Sequence, residues 1–339
     1  MSVTIIAEAG VNHNGDINLA KELINIASDA NADYIKFQTF KAENLASKDA
    51  EKSEYQKSNT KNNDTQYNML KSLELSKTDH IELINYCQSK DIKFLSSAFD
   101  LDSLDFLLSL ECELIKIPSG EINNYYYLEK ISHQEIPVIL STGMSTINEI
   151  EAAIKILTSN KLSINDITIL HCNTEYPTPM IDVNLKAMLK IKEHFNVDIG
   201  YSDHTLGIEV PIAAVALGAK VIEKHFTIDR SLAGPDHACS LEPLELKNMV
   251  NAVRNIEIAC SGDGSKEPTA SEIKNKSVAR KSLYLSKDIK KGTKLAKDMI
   301  IALRPGDGIS PMEIPNLVGK TFNKNLRMSE KITYEDFEE

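Results

Sequence analysis

The sequence is poor in the features that announce secreted, membrane-bound or nucleic-acid-binding proteins. Its five cysteines, Cys87, Cys112, Cys172, Cys239 and Cys260, are scattered, odd in number and contain no C-x-x-C pair. That speaks against a disulfide framework or a structural zinc site and for reduced thiols that fill the core. No apolar run approaches the ~18 residues of a transmembrane helix. The opening MSVTIIAEAG carries no basic leader, so the expectation is a cytoplasmic protein. Basic runs are short and the net charge is −11, which disfavours nucleic acid and anionic membranes as partners. An anionic substrate stays open, because a pocket needs only a few local cations. TIIAEAGVNHNG does not read G-x-G-x-x-G, so no dinucleotide fingerprint is present.

What the chain does have is size and rhythm. Its 339 residues, 42% hydrophobic and 26% charged, suit a globular protein with a large core and room for two domains. Eight strand candidates recur through the first 260 positions: TIIAE, DYIKF, KFLSS, ELIKI, PVILS, ITILH, DIGYS and KVIEKHF. Helical patterns such as INLAKELINIASDA, INEIEAAIKILTS, IEVPIAAVALGA and PLELKNMVNAVRNIEIA alternate with them. This count and length predict a (β/α)8 TIM barrel over 1–260, with a doubly wound open sheet as the alternative. A polar connector follows over 261–281, and 282–339 reads as a small α+β domain. The polar segment 41–66, with KSNTKNND inside it, follows the second strand. It fits either a solvated insertion or a cover over the active site.

Barrel enzymes place their chemistry at the carboxyl ends of the strands, and polar residues gather there. Strand one ends in Glu8, followed by Asn12, His13 and Asn14. Strand two carries Lys36 and Gln38, and strand four carries Lys116, then Ser119 and Glu121. Ser141 ends strand five. His171, Asn173 and Thr174 end strand six, Ser202 and His204 strand seven, Glu223 and His225 strand eight. A lysine inside a strand fits an exposed edge in an open sheet, but a closed barrel has no edge. Two apolar-Lys-apolar patterns then point to two ammoniums converging on one anion, a phosphate or carboxylate. His204 and His225 end adjacent strands, side by side near carboxylates. They fit two structural histidines, or ligands of a divalent ion such as manganese or magnesium, with zinc or cobalt as alternatives. His171 reads as a pocket wall. Gly234 and Pro235 hold Asp236 in a fixed loop, as a helix-entry turn or as a contact for substrate hydroxyls.

IIAEAGVNHNGD, IKFQTFKAENL, KIPSGEI, ILSTGM, HCNTEYPTP, GYSDHTLG, EKHFT, GPDHACS and RPGDGISP, in this order over nearly the whole chain, resemble the sialic acid synthase family. The tail resembles its C-terminal antifreeze-like (SAF) domain. The resemblance implies condensation of phosphoenolpyruvate with the open chain of an N-acylated mannosamine-type sugar, with C–O cleavage and release of phosphate. It implies that Lys36 and Lys116 bind phosphoenolpyruvate, assisted by Ser119, Ser141, Ser202, Thr174 and Tyr176. It further implies that His204 and His225 hold the metal, and that Glu121 and Asp236 contact sugar hydroxyls. Water adding at C2 would be activated by the metal or by Glu121. Some relatives carry Glu at Asn14, so a proton-transfer role at that position does not carry over.

N-acetylmannosamine, giving N-acetylneuraminate, is the first acceptor to consider. A 2,4-diacetamido-2,4,6-trideoxymannose, giving N,N'-diacetyllegionaminate, fits the motifs equally. A non-catalytic carbohydrate-binding protein and a Schiff-base aldolase are the other readings; the retained lysines and histidines argue against the first. In ALRPGDGIS, Pro305, Gly306 and Gly308 hold Arg304 on a defined loop. The resemblance implies a domain-swapped homodimer in which Arg304 enters the partner's site.

Overall fold

The computed structural model describes residues 2–60 and 64–338; positions 61–63, within the KSNTKNND run, lie outside the described residues. The chain divides into two compact units, Met1–Ser261 and Gly262–Glu339.

In the first unit eight parallel strands close into a barrel in sequence order. They are β1 (Thr4–Gly10), β2 (Tyr34–Thr39), β3 (Lys93–Ala98), β4 (Ile115–Ile117), β5 (Val138–Ser141), β6 (Ile167–Cys172), β7 (Asp198–Asp203) and β8 (Val221–His225). The helices between and after them are α1 (Ile17–Asp29), α2 (Ala42–Leu45), α3 (Glu54–Thr60), α4 (Gln66–Leu73), α5 (Lys77–Ser89) and α6 (Leu101–Leu108). They continue as α7 (Tyr125–Ser132), α8 (Ile147–Leu157), α9 (Lys186–Phe195), α10 (Glu209–Ala216) and α11 (Pro243–Ala259). The expected barrel is therefore present. Its helices start where the sequence marks them. Asp16 caps α1, Ser76 and Thr146 close capping boxes on α5 and α8, and Pro243 occupies the first turn of α11.

Period-two alternation sorts each strand. Outward residues such as Ile5, Ala7, Ile35, Phe37, Leu140 and Ile222 pack beneath the helices in the main core. Inward, Ile6, Leu95, Ile139, Leu170 and Val221 form an apolar floor. Two positions further along the same strands stand Glu8, Ser97, Ser141, Cys172 and Glu223, all buried. The barrel thus has an apolar floor and a polar upper storey because the alternate positions change chemistry at one level. The ladder is uneven. β2 and β3 pair from Tyr34↔Lys93 to Thr39↔Ala98, but β3 and β4 pair only at Ser97↔Lys116.

The second unit holds α12 (Ala270–Ala279), the antiparallel pair β9 (Ser282–Leu285) and β10 (Ile300–Leu303), and the short α13 (Ile314–Leu317). Leu283, Leu285, Ile289, Leu295, Ile309 and Phe322 are among the residues of its own core. Phe322 and Phe337 stack at 4.8 Å. The stretch read as a connector thus contains a ten-residue helix, α12.

Candidate active site

A cavity of about 440 Å³ opens at the carboxyl ends of the strands. Among its lining are Lys36, Gln38, Lys116, Ser119, Ser141, Thr174, Tyr176, Ser202, His204, His225 and Asp236. Glu121 and Asn14 are not among the lining residues. Glu121 follows β4 in a 3-10 turn and accepts from Asn124 Nδ2 at 2.6 Å. Asn14 braces a loop, donating to the Ala233 carbonyl at 2.9 Å with its Oδ1 3.2 Å from His237 Nε2. His171, expected in a pocket wall, faces outward and contacts the Val183 carbonyl at 2.9 Å and the Tyr201 ring. A larger cleft of about 810 Å³ reaches the amino ends of β2 to β4. Its Lys93 and Glu113 pair with each other at 2.6 Å, and it lies away from the strand ends where barrel enzymes work.

Four ionisable side chains meet in the polar storey. Lys36 Nζ lies 2.9 Å from Glu8 Oε2 and 3.7 Å from Glu223 Oε1, and Lys116 Nζ lies 3.3 Å from Glu223 Oε2. Ser202 donates to Glu223 Oε1 at 3.0 Å, Lys36 to Ser97 Oγ at 3.3 Å, and Gln38 to Glu8 Oε1 at 3.3 Å. Burial would raise Glu223, but the two ammoniums outweigh it and bring it down to about 2. Burial pushes Glu8 up to about 7, with Lys36 opposing. Burial pulls Lys116 below its ordinary value, and Glu223 offsets only part of this. For Lys36 the charges of Glu223 and Glu8 outweigh burial and hold it above its ordinary value. The two buried ammoniums thus share Glu223, while Glu8, 2.9 Å from Lys36, is the carboxylate that burial makes easier to protonate. A site so arranged favours an incoming anion, since a buried ammonium needs a full counter-charge.

Beside them Ser119 Oγ accepts from the Gly143 amide at 2.9 Å and lies 3.4 Å from Cys172 Sγ. A Cβ at position 143 would stand 2.6 Å from Thr174 Cγ2 and 2.9 Å from Ser119 Oγ. Only glycine lets these three segments meet.

The histidines form the next level. Their rings lie 5.4 Å apart. His204 Nδ1 lies 2.5 Å from the Asn173 carbonyl, which can only accept, so the proton sits on Nδ1 and Nε2 is a free lone pair. His225 Nδ1 is buried without a hydrogen-bond partner. Burial lowers His204 to about 4 and His225 well below its ordinary value, so both imidazoles are neutral. Neutral imidazoles with a lone pair to spare fit a divalent cation. Among the described residues no cluster of three or more His, Cys, Asp or Glu has metal-binding geometry. The pair would leave further coordination positions to substrate oxygen or water.

Tyr176 stacks on His204 at 4.1 Å and meets His225 edge-on at 5.6 Å. Tyr55, from α3, stacks in turn on Tyr176 at 5.1 Å. Asn59, also in α3, donates to the Pro235 carbonyl at 2.7 Å, beside Asp236. The described residues of the polar segment after β2 thus reach the cavity. Among them Leu45, Tyr55, Gln56 and Gln66 line it. Burial pushes the Asp236 carboxyl up to about 6.

The profile of the NeuB family matches residues 23–266, and that of the SAF domain matches residues 280–338. An N,N'-diacetyllegionaminic acid synthase of Campylobacter jejuni is 51% identical over 97% of this chain and 98% of its own. The chain belongs to the NeuB family. A second N,N'-diacetyllegionaminic acid synthase, from Legionella pneumophila, is 48% identical over 100% of this chain and 95% of its own. Among solved structures, the N-acetylneuraminic acid synthetase of Leptospira borgpetersenii is 38% identical, with a TM-score of 0.70 over 81% of this chain and 90% of that one. This NeuB-family chain is accordingly an enzyme of the nonulosonic acid synthase class, with a barrel followed by a SAF domain.

In the SAF unit Arg304 is exposed on a braced loop. Its Nε donates to the Ala279 carbonyl at 3.0 Å, Ser282 Oγ to the Pro305 carbonyl at 2.7 Å, and the Gly308 amide to Ser282 Oγ at 2.8 Å. A Cβ at Gly306 would stand 2.4 Å from Arg280 Cβ, so the loop closes against α12 only with glycine there.

Tyr55, Glu8 and Glu223 are site residues that the strand-end motifs did not single out as such. Glu8 and Glu223 sat in view at strand ends. Their alternation with Ile6 and Val221 was the available signal. Tyr55 lies in a polar stretch with no period to read.

Proposed function

We propose that this enzyme condenses phosphoenolpyruvate with 2,4-diacetamido-2,4,6-trideoxymannose, giving N,N'-diacetyllegionaminate and phosphate. The observation that carries the reading is one cavity with two chemistries. Lys36 and Lys116 lie deep in it, and Val11, Leu45, Met69, Leu70, Leu73 and Phe99 line it elsewhere. A 6-methyl and acetamido methyls gain by burial against such a wall. The hydroxyls of N-acetylmannosamine would lose water there without recompense. The two diacetyllegionaminic acid synthase relatives support the same choice. The N-acetylneuraminate reading has the Leptospira structure in its favour.

Lys36 and Lys116 hold the phosphate and carboxylate of phosphoenolpyruvate, with Ser119 and Ser141 donating hydroxyl protons, while Ser202 donates to Glu223 and steadies the carboxylate between the lysines. This fixes C3 of the enol phosphate towards the histidines. Tyr176 limits how His204 and His225 turn, and Asp236 accepts from a sugar hydroxyl. A divalent ion, manganese or magnesium with cobalt as an alternative, held by His204 and His225 supplies Lewis-acid polarisation of the aldehyde when bound. C3 attacks the aldehyde carbon, water adds at C2, and the C–O bond to phosphate breaks. Holding both substrates in register is worth up to ~7–11 kcal/mol in ideal cases. We further propose a homodimer in which Arg304 reaches the partner's cavity, and a cytoplasmic location, which the scattered thiols support.

The test is phosphate release from phosphoenolpyruvate with each sugar. Release with the trideoxy sugar, abolished by chelation and restored by manganese, is expected. Release with neither sugar sinks the reading, and full activity in metal-free buffer removes His204 and His225 from the metal role.

A further inference from the structure

Glu54–Thr60, α3, has no buried residue. A helix with no buried side chain needs another reason to lie where it does. Among the described residues, Lys52 and Glu51 hold α3 from just upstream, at Thr60 Oγ1 (3.0 Å) and Lys57 Nζ (2.9 Å), and two contacts reach from it to the site: the Tyr55 ring on Tyr176, and Asn59 on the Pro235 carbonyl. The Tyr55 hydroxyl is not what moors it. That oxygen accepts from the neighbouring Gln56 at 3.4 Å. Tyr55 therefore contributes a ring face.

One face of that ring lies on Tyr176 at 5.1 Å, and the residue lines the cavity. The lysines lie deepest, the histidines above them, Tyr176 against His204, and Tyr55 against Tyr176. The acceptor's reacting carbon must sit between the lysine and histidine levels, where C3 of phosphoenolpyruvate can reach it. The rest of the sugar then runs outward, past Tyr176 to Tyr55, Met69 and Leu70.

We propose that Tyr55 determines which amino sugar the enzyme accepts, its ring closing over the end of the acceptor remote from the aldehyde. This rests on the synthase reading above. The ring offers apolar surface and a polarisable face to a deoxy methyl group and an acetamido group. Its face offers no hydrogen bond to a hydroxyl-rich tail, and its hydroxyl is engaged by Gln56 and Ser53.

The experiment compares Tyr55→Ala and Tyr55→Phe with the wild type. Phosphate release is measured with 2,4-diacetamido-2,4,6-trideoxymannose and with N-acetylmannosamine, varying each sugar and phosphoenolpyruvate separately. Loss of an apolar contact of this size costs about tenfold in selectivity. Tyr55→Ala should raise the KM for the trideoxy sugar by about that factor. It should narrow the kcat/KM ratio of the two sugars by a similar factor and leave the KM for phosphoenolpyruvate within about twofold. Tyr55→Phe, which keeps the ring face, should behave as wild type. A proportional loss with both sugars, or an unchanged ratio, overturns the proposal. So does an equal rise in the phosphoenolpyruvate KM, which would mark general damage. If the wild type itself prefers N-acetylmannosamine, the substrate reading fails on its own. The Tyr55 proposal then stands or falls by whether Tyr55→Ala moves the ratio.

Discussion

At the scale of the residue, the clearest physical conflict is Asp236. Its carboxyl titrates at about 6 against an ordinary 3.8, because burial disfavours the charge. The folded state thus binds this proton more tightly than the unfolded one. Ionised Asp236 costs stability above about pH 6, and the cost fades as the pH falls through that value towards 3.8. Asp236→Asn should therefore stabilise the protein at pH 8 by about 1–3 kcal/mol and leave stability at pH 4 unchanged. Denaturant unfolding at the two pH values checks this. An equal effect at both would mean that the change acts through packing and not through charge. The same variant should lose phosphate release at pH 8, since a site residue and a stability optimum are seldom the same residue. Placement in the cavity was only partly legible in the sequence. Lys36, Lys116, His204 and His225 were, because an apolar strand leaves a polar side chain few places to point. Glu121 and Asn14 were not, because a turn beyond a strand end can aim its side chains anywhere, and theirs hold Asn124 and the Ala233 loop.

At the scale of the element, the strands read well from sequence because parallel barrel strands are buried on both faces and show as apolar runs. KFLSS, DIGYS and KVIEKHF each fall within a residue or so of β3, β7 and β8. What no local pattern could give is pairing across the barrel, such as Lys116 with Glu223, 107 positions apart. The same holds on the outer face of the β7–β8 pair. Lys224 Nζ meets Asp203 Oδ2 at 2.5 Å, both side chains fully buried, and also donates to the Thr205 carbonyl. Lys224→Met would leave Asp203 buried without its partner and should cost about 3–5 kcal/mol. Asp203→Asn with Lys224→Met should recover much of that, because an uncharged pair leaves no stranded charge. Thermal unfolding of the single and double variants measures it. A double variant no more stable than the single would deny the pair that role. The polar segment after β2 was legible only as one of undecided purpose. Its helices α2 and α3 are too short to show a period, so the placement of Tyr55 had to come from three dimensions.

At the scale of the whole molecule, the barrel brings the two lysines and the two histidines into one cavity, while Arg304 is braced on the second unit. If Arg304 serves a partner's cavity, two inactive proteins should rescue each other. Arg304→Ala and His225→Ala homodimers should each be nearly inactive. Mixed and allowed to exchange subunits, they should form heterodimers with one complete site, restoring about a quarter of wild-type activity. Subunit exchange, followed by light scattering or native mass spectrometry, without any gain in phosphate release would end the idea of service in trans. The two-domain plan itself was readable from the polar connector and the change of rhythm after position 260.

The thin junction between β3 and β4 has its own consequence. A closed cylinder shares strain around its whole circumference, but this one has a seam where a single register pair, Ser97↔Lys116, spans the gap. Local opening takes the path of fewest ladder bonds. The Ile115 amide bonds to the Pro137 carbonyl of the β5 side at 2.9 Å and stays held, so early deuterium exchange is expected at the β3-facing amide of Lys116 rather than along the whole of β4. The seam carries Lys116, so each excursion would carry a lysine of the cavity wall with it.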